Sequence, residues 1–490
     1  MLTAYPQATG AGAIRLWVGV WDTPAPPLVN VAVNDAPASA RIVKAMAAIR
    51  DGIADAAGAP VNHRAVLEIA GLEPDRRYRI RLTCGEATSE LPVRTLPDRI
   101  PDILDGTFNI LLCSCYYQPE DASGLVGTIV SQIMLRPHLT LMMGDQVYGD
   151  LPLLSSFGAD GAARELAQKY RRNWMSEQLG SGGLGKVLTA APVICVADDH
   201  EFWNNFPFAQ SQLPPTWTDD GRKAWKRAAA ALYEDFQLGD AKAGDAQRLD
   251  IEPVKLLCLD TRSYRDDAFA DLLPPAAVGA LEQWADDLVA DKRAERGPWF
   301  GMLVSGQALF ALPETESRKR KVDAEMSNYT QFARAILPQL TRLADESIPV
   351  LYVTGDVHWG RVAEAVDVLS GRTLIYEVIA SPSRLIRVPL VDKGKELGAA
   401  VKGLFGKPDP WPRHSAPADV PDWLSGGRRF NLQCDPAHGI GLQQRGDQVA
   451  ILSLCRAGRG VNFNVSYFGI TQDRTVGRSV TTPTYELRVH

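Results

Sequence analysis

The chain has 490 residues, 46% of them hydrophobic and 22% charged, a balance that excludes a wholly disordered protein. Its 52 Lys and Arg against 58 Asp and Glu leave a formal charge of −6, which argues against a nucleic-acid binder but not against a small phosphate ester, whose charge a metal or a few local Arg can meet. No apolar run approaches the roughly 18 residues of a membrane span, and the seven scattered Cys read as reduced core thiols rather than a disulfide framework.

The opening MLTAYPQATGAGAIR shows neither the basic and apolar pattern of a secretory leader nor a twin-Arg pair. The chain as given is expected to be cytoplasmic, or periplasmic or secreted if a leader was removed from a longer one. Residues 1–100 read as an all-β domain. Ile14, Leu16, Val18 and Val20 alternate with other residues, the period of a half-buried strand. GLEPDRRYRIRL (Gly71–Leu82) puts a Pro turn before a strand near Tyr78. It resembles the turn before a late strand of fibronectin type III and immunoglobulin-like sandwiches, where a Tyr hydroxyl pins the corner. LPDRIPD (Leu96–Asp102), with two Pro, reads as a linker to a second domain over 101–490.

From Phe108 the apolar runs FNILLCS, LTLMMG, PVICVA, VKLLCL, WFGMLVSG and PVLYVTG alternate with helical stretches at 162–178, 221–237, 276–293 and 329–346. Such runs suit strands buried on both faces, and the alternation predicts a layered α/β domain of sheets flanked by helices. Residues 388–430, richer in Gly, Pro, Lys and Arg, are expected to form a surface excursion or lid. His438–Leu454 reads as a hairpin turning at Gly446-Asp447.

Four of these runs end in chemistry. Cys115 follows the first, and Gly144, Asp145 and Tyr148 follow the second. Asp198, Asp199, His200 and Glu201 follow the third, and Gly355, Asp356 and His358 follow PVLYVTG. The carboxyl ends of strands build the sites of open α/β sheets. Any one Asp there would be an ordinary turn residue, and Cys115 alone an ordinary core thiol. Four such endings together imply convergence, and converging carboxylates repel one another unless a cation is present. The pattern therefore predicts a metal site, with two metals. Asp145 can bridge them. With Cys115, Tyr148 and His358 it makes a mixed S/O/N set suited to iron, with zinc the rival. With Asp199 and Asp356 it makes an all-oxygen set for calcium, magnesium or manganese. Cys113, on the opposite face of its strand, is expected in the core.

In order and spacing, CSCYYQ, GDQVYGD, ADDHEFWNN, LDTRSYRDD, TGDVHWG and SPSRL resemble the PhoD-like alkaline phosphatases, a branch of the calcineurin-like metallophosphatases, from Phe108 to Arg384. The β-rich N-terminal segment agrees with that family. The wider superfamily has Asp-x-His where this chain has Cys115, GNHE where it has DDHE, and a further His where none occurs between His200 and His358. These departures agree with the PhoD branch. The resemblance implies a calcineurin-like metallophosphatase domain behind a small immunoglobulin- or fibronectin-like sandwich. It implies phosphatase or phosphodiesterase activity on small phosphate esters, and iron with calcium. It favours Asp199 over Asp198 as a ligand, at the position of the metal-binding Asn of GNHE.

In the expected mechanism, hydroxide from metal-bound water attacks phosphorus, and His200 protonates the leaving oxygen or holds the phosphate. Asn204 or Asn205 orients a phosphate oxygen or completes a metal shell. Arg361 and Arg262 are candidate phosphate clamps, and Trp203, Phe206 and Trp359 candidate walls of a leaving-group pocket. Two alternatives stand beside this one: a phosphate- and metal-binding protein without turnover, and a hydrolase specialised for phospholipids or phosphotriesters. Arg265, His63, His138, His414, His438 and His490 read as structural. GSGGLGK (Gly180–Lys186) follows a helix and continues into Val187 where a phosphate loop needs Ser or Thr, so it reads as a turn.

Overall fold

The computed structural model describes all residues except 152–158, 312, 359, 369, 385–429, 435–445 and 490. Eight strands come first: β1 (Leu2–Gln7), β2 (Ile14–Val20), β3 (Asn30–Val33), β4 (Ala36–Ala38), β5 (Arg41–Ala48), β6 (His63–Ile69), β7 (Arg77–Cys84) and β8 (Ala87–Arg94). The apolar runs then form β9 (Phe108–Cys113), β10 (Leu139–Met143), β11 (Val193–Val196), β13 (Val254–Cys258), β14 (Phe300–Val304) and β15 (Val350–Thr354), with β12 (Gln247–Ile251) ahead of β13. β16 (Arg361–Asp367), β17 (Thr373–Ile379), β18 (Phe430–Cys434), β19 (Gln448–Ala457), β20 (Gly460–Ile470), β21 (Val476–Thr481) and β22 (Tyr485–Arg488) complete the strands. The helices are α1 (Leu125–Gln132), α2 (Ala159–Trp174), α3 (Ser176–Leu179), α4 (Leu184–Leu188), α5 (Asp199–Phe202), α6 (Asp219–Phe236), α7 (Pro275–Arg293) and α8 (Leu337–Asp345). Among the described residues no helix is long and apolar enough to cross a membrane.

The centre is two sheets packed face to face. One contains β9, β10 and β11 side by side and parallel; the other runs β12-β13-β14-β15-β17-β16-β18. Alternation along each run decides which layer a side chain enters. Ile110 and Leu112 of β9 meet Leu256, Met302 and Val353 between the sheets. Leu111 and Cys113 face the other way, into the layer of α1, α2, α4 and α6. Trp284 of α7 and Leu340 of α8 cover the outer face of the second sheet. Each central strand is therefore buried on both faces, which is why its sequence is apolar without a break.

The N-terminal part is a sandwich, but not a separate one. Its small sheet is β4-β3-β7-β8, whose Ile80, Leu82, Leu91 and Val93 pack on Ile14, Leu16 and Val18 of β2. The Tyr78 hydroxyl accepts the Glu73 N–H at 2.9 Å, the expected corner. The second sheet, however, is the one that holds β9, β10 and β11: its order is β21-β20-β19-β9-β10-β11-β1-β2-β6-β5, with β1 parallel to β11. The strand expected to be half buried is buried on both sides, because Trp17 points away from the sandwich and stacks on Tyr5 and Phe236.

The four expected helices stand close to their expected bounds. The last begins later as an α-helix, at Leu337, after a wide turn over Phe332–Ile336; Pro338 in its first turn supplies no N–H. Of the hairpin expected over His438–Leu454, residues 438–445 lie outside the described residues; β19 folds back onto β20 at Gly458 and also pairs with β9. Of the excursion expected at 388–430, residues 388–429 lie outside the described residues, while Phe430 opens a strand paired with β16. Trp359, His414, His438 and His490 also lie outside them.

Candidate metal centre

The loops after β9, β10, β11 and β15 meet at one end of the two sheets. Cys115 N–H binds Gly144 O at 3.1 Å, Tyr116 N–H binds Asp145 O at 2.7 Å, and Gly144 N–H binds Val196 O at 3.0 Å. The backbone turns sharply here: Cys115, Asp145, Asn205, Asp356 and His358 all have φ between 52° and 65°, in the left-handed region. For residues other than Gly this conformation is costly and persists only where the surroundings enforce it. Gly144 (φ 86°) has no room for a side chain, because a Cβ would overlap Asp198.

Glu201 ties two of these loops together. Fully buried, it accepts N–H bonds from Asp145 (2.8 Å), Gln146 (2.7 Å) and Val147 (3.3 Å) after β10, and from Asp198 (2.9 Å) after β11. Burial pushes its carboxyl up to about 7 against the pull of those donors.

The result is a cluster of acids. Asp145, Asp199 and His200 offer ligand atoms within 4.8 Å of one another; so do Asp145, Asp198 and Asp356, and so do Asp198, Asp199 and Asp323. Burial pushes Asp145 well above the ordinary carboxylate range, against the pull of His200 and with Asp199 and Asp198 adding to the push. Burial likewise raises Asp356, with Asp323, Asp199 and Asp145 adding to it. Two buried polar atoms among them have no hydrogen-bond partner, the Tyr148 hydroxyl and Asp198 Oδ2. Crowded carboxylates that resist ionisation, beside an orphaned phenol and an orphaned carboxylate oxygen, fit a cation: positive charge would relieve the first and coordination the second.

Cys115 lies against this cluster, its Sγ 3.5 Å from Asp145 Oδ2 and 3.2 Å from Ser381 Oγ. Ser381 belongs to SPSRL, which closes behind the Cys115 loop through Ser383 N–H to Ser114 O (2.7 Å) and Arg384 N–H to Cys115 O (3.0 Å). Tyr148 stacks on the His200 ring with centroids 4.1 Å apart. His200 places Nδ1 2.7 Å from Asp150 Oδ1. Burial pulls the imidazole pKa down, but Asp150, Asp199 and Asp145 outweigh it and hold it well above its usual value. Asn204 and Asn205 meet the cluster through their backbone: the Asn204 N–H binds Asp150 Oδ2 (2.9 Å) and the Asn205 N–H binds Asp199 Oδ2 (2.8 Å). His358 stands in the same loop as Asp356 with an exposed side chain and is in none of the three ligand groups.

The two candidate phosphate clamps are committed elsewhere. Arg262 is fully buried, with Nε 2.6 Å from Asp198 Oδ1 and its amino groups 2.6 and 2.8 Å from the Asp323 oxygens, so it neutralises carboxylates instead of facing a substrate. Arg361 is buried on β16 with its guanidinium on Glu377, a carboxylate outside the cluster. Arg265 is structural as expected, donating to Thr261 O and Ala324 O. Trp203 and Phe206 are buried and line a cavity of about 190 Å³ with Lys226. Asp150, Glu201 and Asp323 are participants to which the sequence assigned no role, and Asp198 is one it ranked behind Asp199. Asp150, Asp198 and Glu201 sit inside quoted motifs, and Asp150 is the last residue of GDQVYGD. Asp323 stands 61 residues beyond Arg262 in an unpatterned loop and carries no such signal.

Residues 108–384 match the family model described as PhoD-like phosphatase. No curated protein sequence matches the chain. Among solved structures, one titled as the structure of PhoD matches 99% of this chain and 90% of its own at 13% identity, with a TM-score of 0.58, a likeness of fold. The structure of GAP50, the anchor in the inner membrane complex of Plasmodium, matches 79% of this chain and 90% of its own at 10% identity, with a TM-score of 0.33.

Proposed function

The chain belongs to the PhoD-like phosphatase family, and on that premise we propose that it is a metal-dependent hydrolase of small phosphate esters, phosphatase or phosphodiesterase in type, with two cations at the strand-end cluster. The observation that carries this reading is the overlap of three acidic ligand groups with the orphaned Tyr148 hydroxyl and Asp198 Oδ2. Asp145, which like Asp198 and Asp199 belongs to two of the groups, would be the carboxylate held in common. Cys115, Tyr148 and His358 would hold the proposed iron with it, His358 from outside the three ligand groups; Asp199 and Asp356, with Asp198 beside them, would hold the proposed calcium. When bound, such cations would polarise phosphoryl oxygens and bring the pKa of bound water down toward neutral.

The chain's own groups do the rest. Asp150 holds His200 Nδ1, leaving Nε2 to deliver a proton to the leaving oxygen or to hold a phosphate oxygen. Arg262 offsets part of the charge of Asp198 and Asp323 from behind, so the cluster needs less positive charge from its ligands than its carboxylate count suggests. Asn204 and Asn205, half-buried and tied by backbone to Asp150 and Asp199, are the amides that would orient a phosphate oxygen.

The test is hydrolysis of nitrophenyl phosphate and bis-nitrophenyl phosphate by the full chain and by Asp145→Asn, with metal analysis of both proteins purified without chelator. The wild type should turn over at least one ester and carry two metals per chain, and Asp145→Asn should lose on the order of 10³-fold in kcat/KM. Full activity in the variant would sink the proposal. Two zincs in the wild type would replace the iron and calcium assignment and leave the hydrolase intact.

A further inference from the structure

A second charged site lies at the other end of the catalytic strands. The metal cluster stands beyond the carboxyl end of β10, whereas Arg136 and Pro137 stand before its amino end, about 16 Å of strand away. There the sandwich meets the helical layer around a cleft of about 470 Å³. Arg77 of β7, Arg94 of β8, Arg136 after α1 and Lys186 of α4 all line it, and no Asp or Glu does. This volume lies in the range of small-ligand sites, roughly 300–1,000 Å³.

The cations converge at a cost. Arg77 and Arg94 are direct cross-strand partners in the β7–β8 ladder, a placement that is unfavourable for like charges. Asp75, at 2.7 Å, offsets Arg94 in part, yet Arg94 Nε is buried with no hydrogen-bond partner. Arg136 donates to Ser131 O, and neither it, Arg77 nor Lys186 forms an ion pair among the described residues. Four cations less one carboxylate leave three positive charges in a chain whose formal charge is −6. His138 registers the field: burial and Arg94, with Arg77 adding, hold it down at about 4.

We propose that this cleft binds a small phosphate polyanion of the pyrophosphate class. Guanidinium forks match phosphate oxygens in pairs, and an anion of about three to four charges balances the three uncompensated cations. A lone orthophosphate would leave much of the cleft and part of its charge unmatched.

Pyrophosphate would also be drawn to the metal centre, so the experiment separates the two sites. Inorganic pyrophosphate is titrated calorimetrically at fixed ionic strength into the full chain, into Asp145→Asn, into Arg136→Gln/Lys186→Gln and into Arg136→Lys/Lys186→Arg. The expected result is saturable binding that survives in Asp145→Asn, weakens at least about tenfold in the Gln double variant, and returns in the charge-keeping one. Both mutated side chains are exposed, so the melting temperature in chloride should not move; Lys186→Gln alone carries the test if the double variant fails to fold. Wild-type binding by the Gln variants, or loss of binding in Asp145→Asn, overturns the proposal. Vesicles of phosphatidic acid are titrated in parallel. Binding to them without binding of free pyrophosphate overturns the small-anion assignment in favour of a membrane surface.

Discussion

Glu201 shows how one buried carboxylate can hold a site it does not touch. It spends both oxygens on N–H groups from the loops after β10 and β11, and Gln237 Nε2 adds a contact at 3.3 Å. Glu201→Gln would turn an NH2 toward those donors. The expected loss of unfolding free energy is about 3 kcal/mol, with a fall in metal content, because Asp145 and Asp198 both hang from this carboxylate. Urea unfolding and metal analysis check it; unchanged values of both would remove the role. His138 gives a prediction about pH. Its Nδ1 accepts the Asn109 N–H at 3.1 Å, which requires the neutral ring. Its folded pKa, about 4, lies below the ordinary 6.5, so the unfolded chain takes up the proton first. This contribution to stability is complete above about pH 6.5 and is lost as pH falls from there toward 4, to about 3 kcal/mol. His138→Asn keeps an acceptor and cannot titrate. Between pH 7.5 and 4.5 the wild type should lose about 2–3 kcal/mol more than this variant, and equal losses would refute the assignment.

At the scale of elements, the site is a set of strands that end in forced turns. Gly144→Ala would need both a left-handed backbone and space already held by Asp198, so it should cost about 2–4 kcal/mol and displace a candidate ligand. Thermal unfolding and kcat/KM should both fall; a fall in stability alone would show that the loop can shift without disturbing the chemistry. This geometry also explains what the sequence disclosed. Strands buried on both faces must be apolar without interruption, so β9, β10, β11, β13, β14 and β15 stood out, and with them the acids at their ends. Tyr78 was legible because a corner is a local motif. Arg361 and Arg262 were misread because their partners are set by tertiary packing. Glu377 reaches Arg361 diagonally across the β16–β17 ladder, where Ala363 is the direct partner of Glu377. Asp198 and Asp323 reach Arg262 from two other loops. Asp323 was invisible for the same reason.

At the scale of the molecule, a Pro-rich segment and a change of texture near residue 100 suggest a domain boundary, yet the sheet runs straight across it. β1 lies next to β11, the strand that delivers Asp198, Asp199 and Glu201. Tyr5, Trp17 and Trp21 from the first strands are buried with Phe236 of α6, and Tyr5 and Trp17 also bond to the backbone of Phe236 and Asp235. Arg64 reaches Asp235 at 2.6 Å in an almost fully buried pair. The three aromatic side chains alone bury on the order of 500 Å², or about 10 kcal/mol as an upper bound, comparable with the whole stability of an ordinary domain. Removing residues 1–100 also strips Asp235 of Arg50 and Arg64, the two cations it pairs with. A chain beginning at residue 101 should therefore fail to give a stable catalytic unit. It should bind a hydrophobic dye, aggregate through the open β11 edge and lose metal, even though every candidate ligand is still present. Restoring residues 1–100 as a separate polypeptide should recover metal content and activity only as far as β1 re-pairs with β11. If instead the 101–490 chain melts cooperatively at the full-length temperature and retains activity, the sandwich is an accessory, and the continuous sheet is not what holds the metal centre in place.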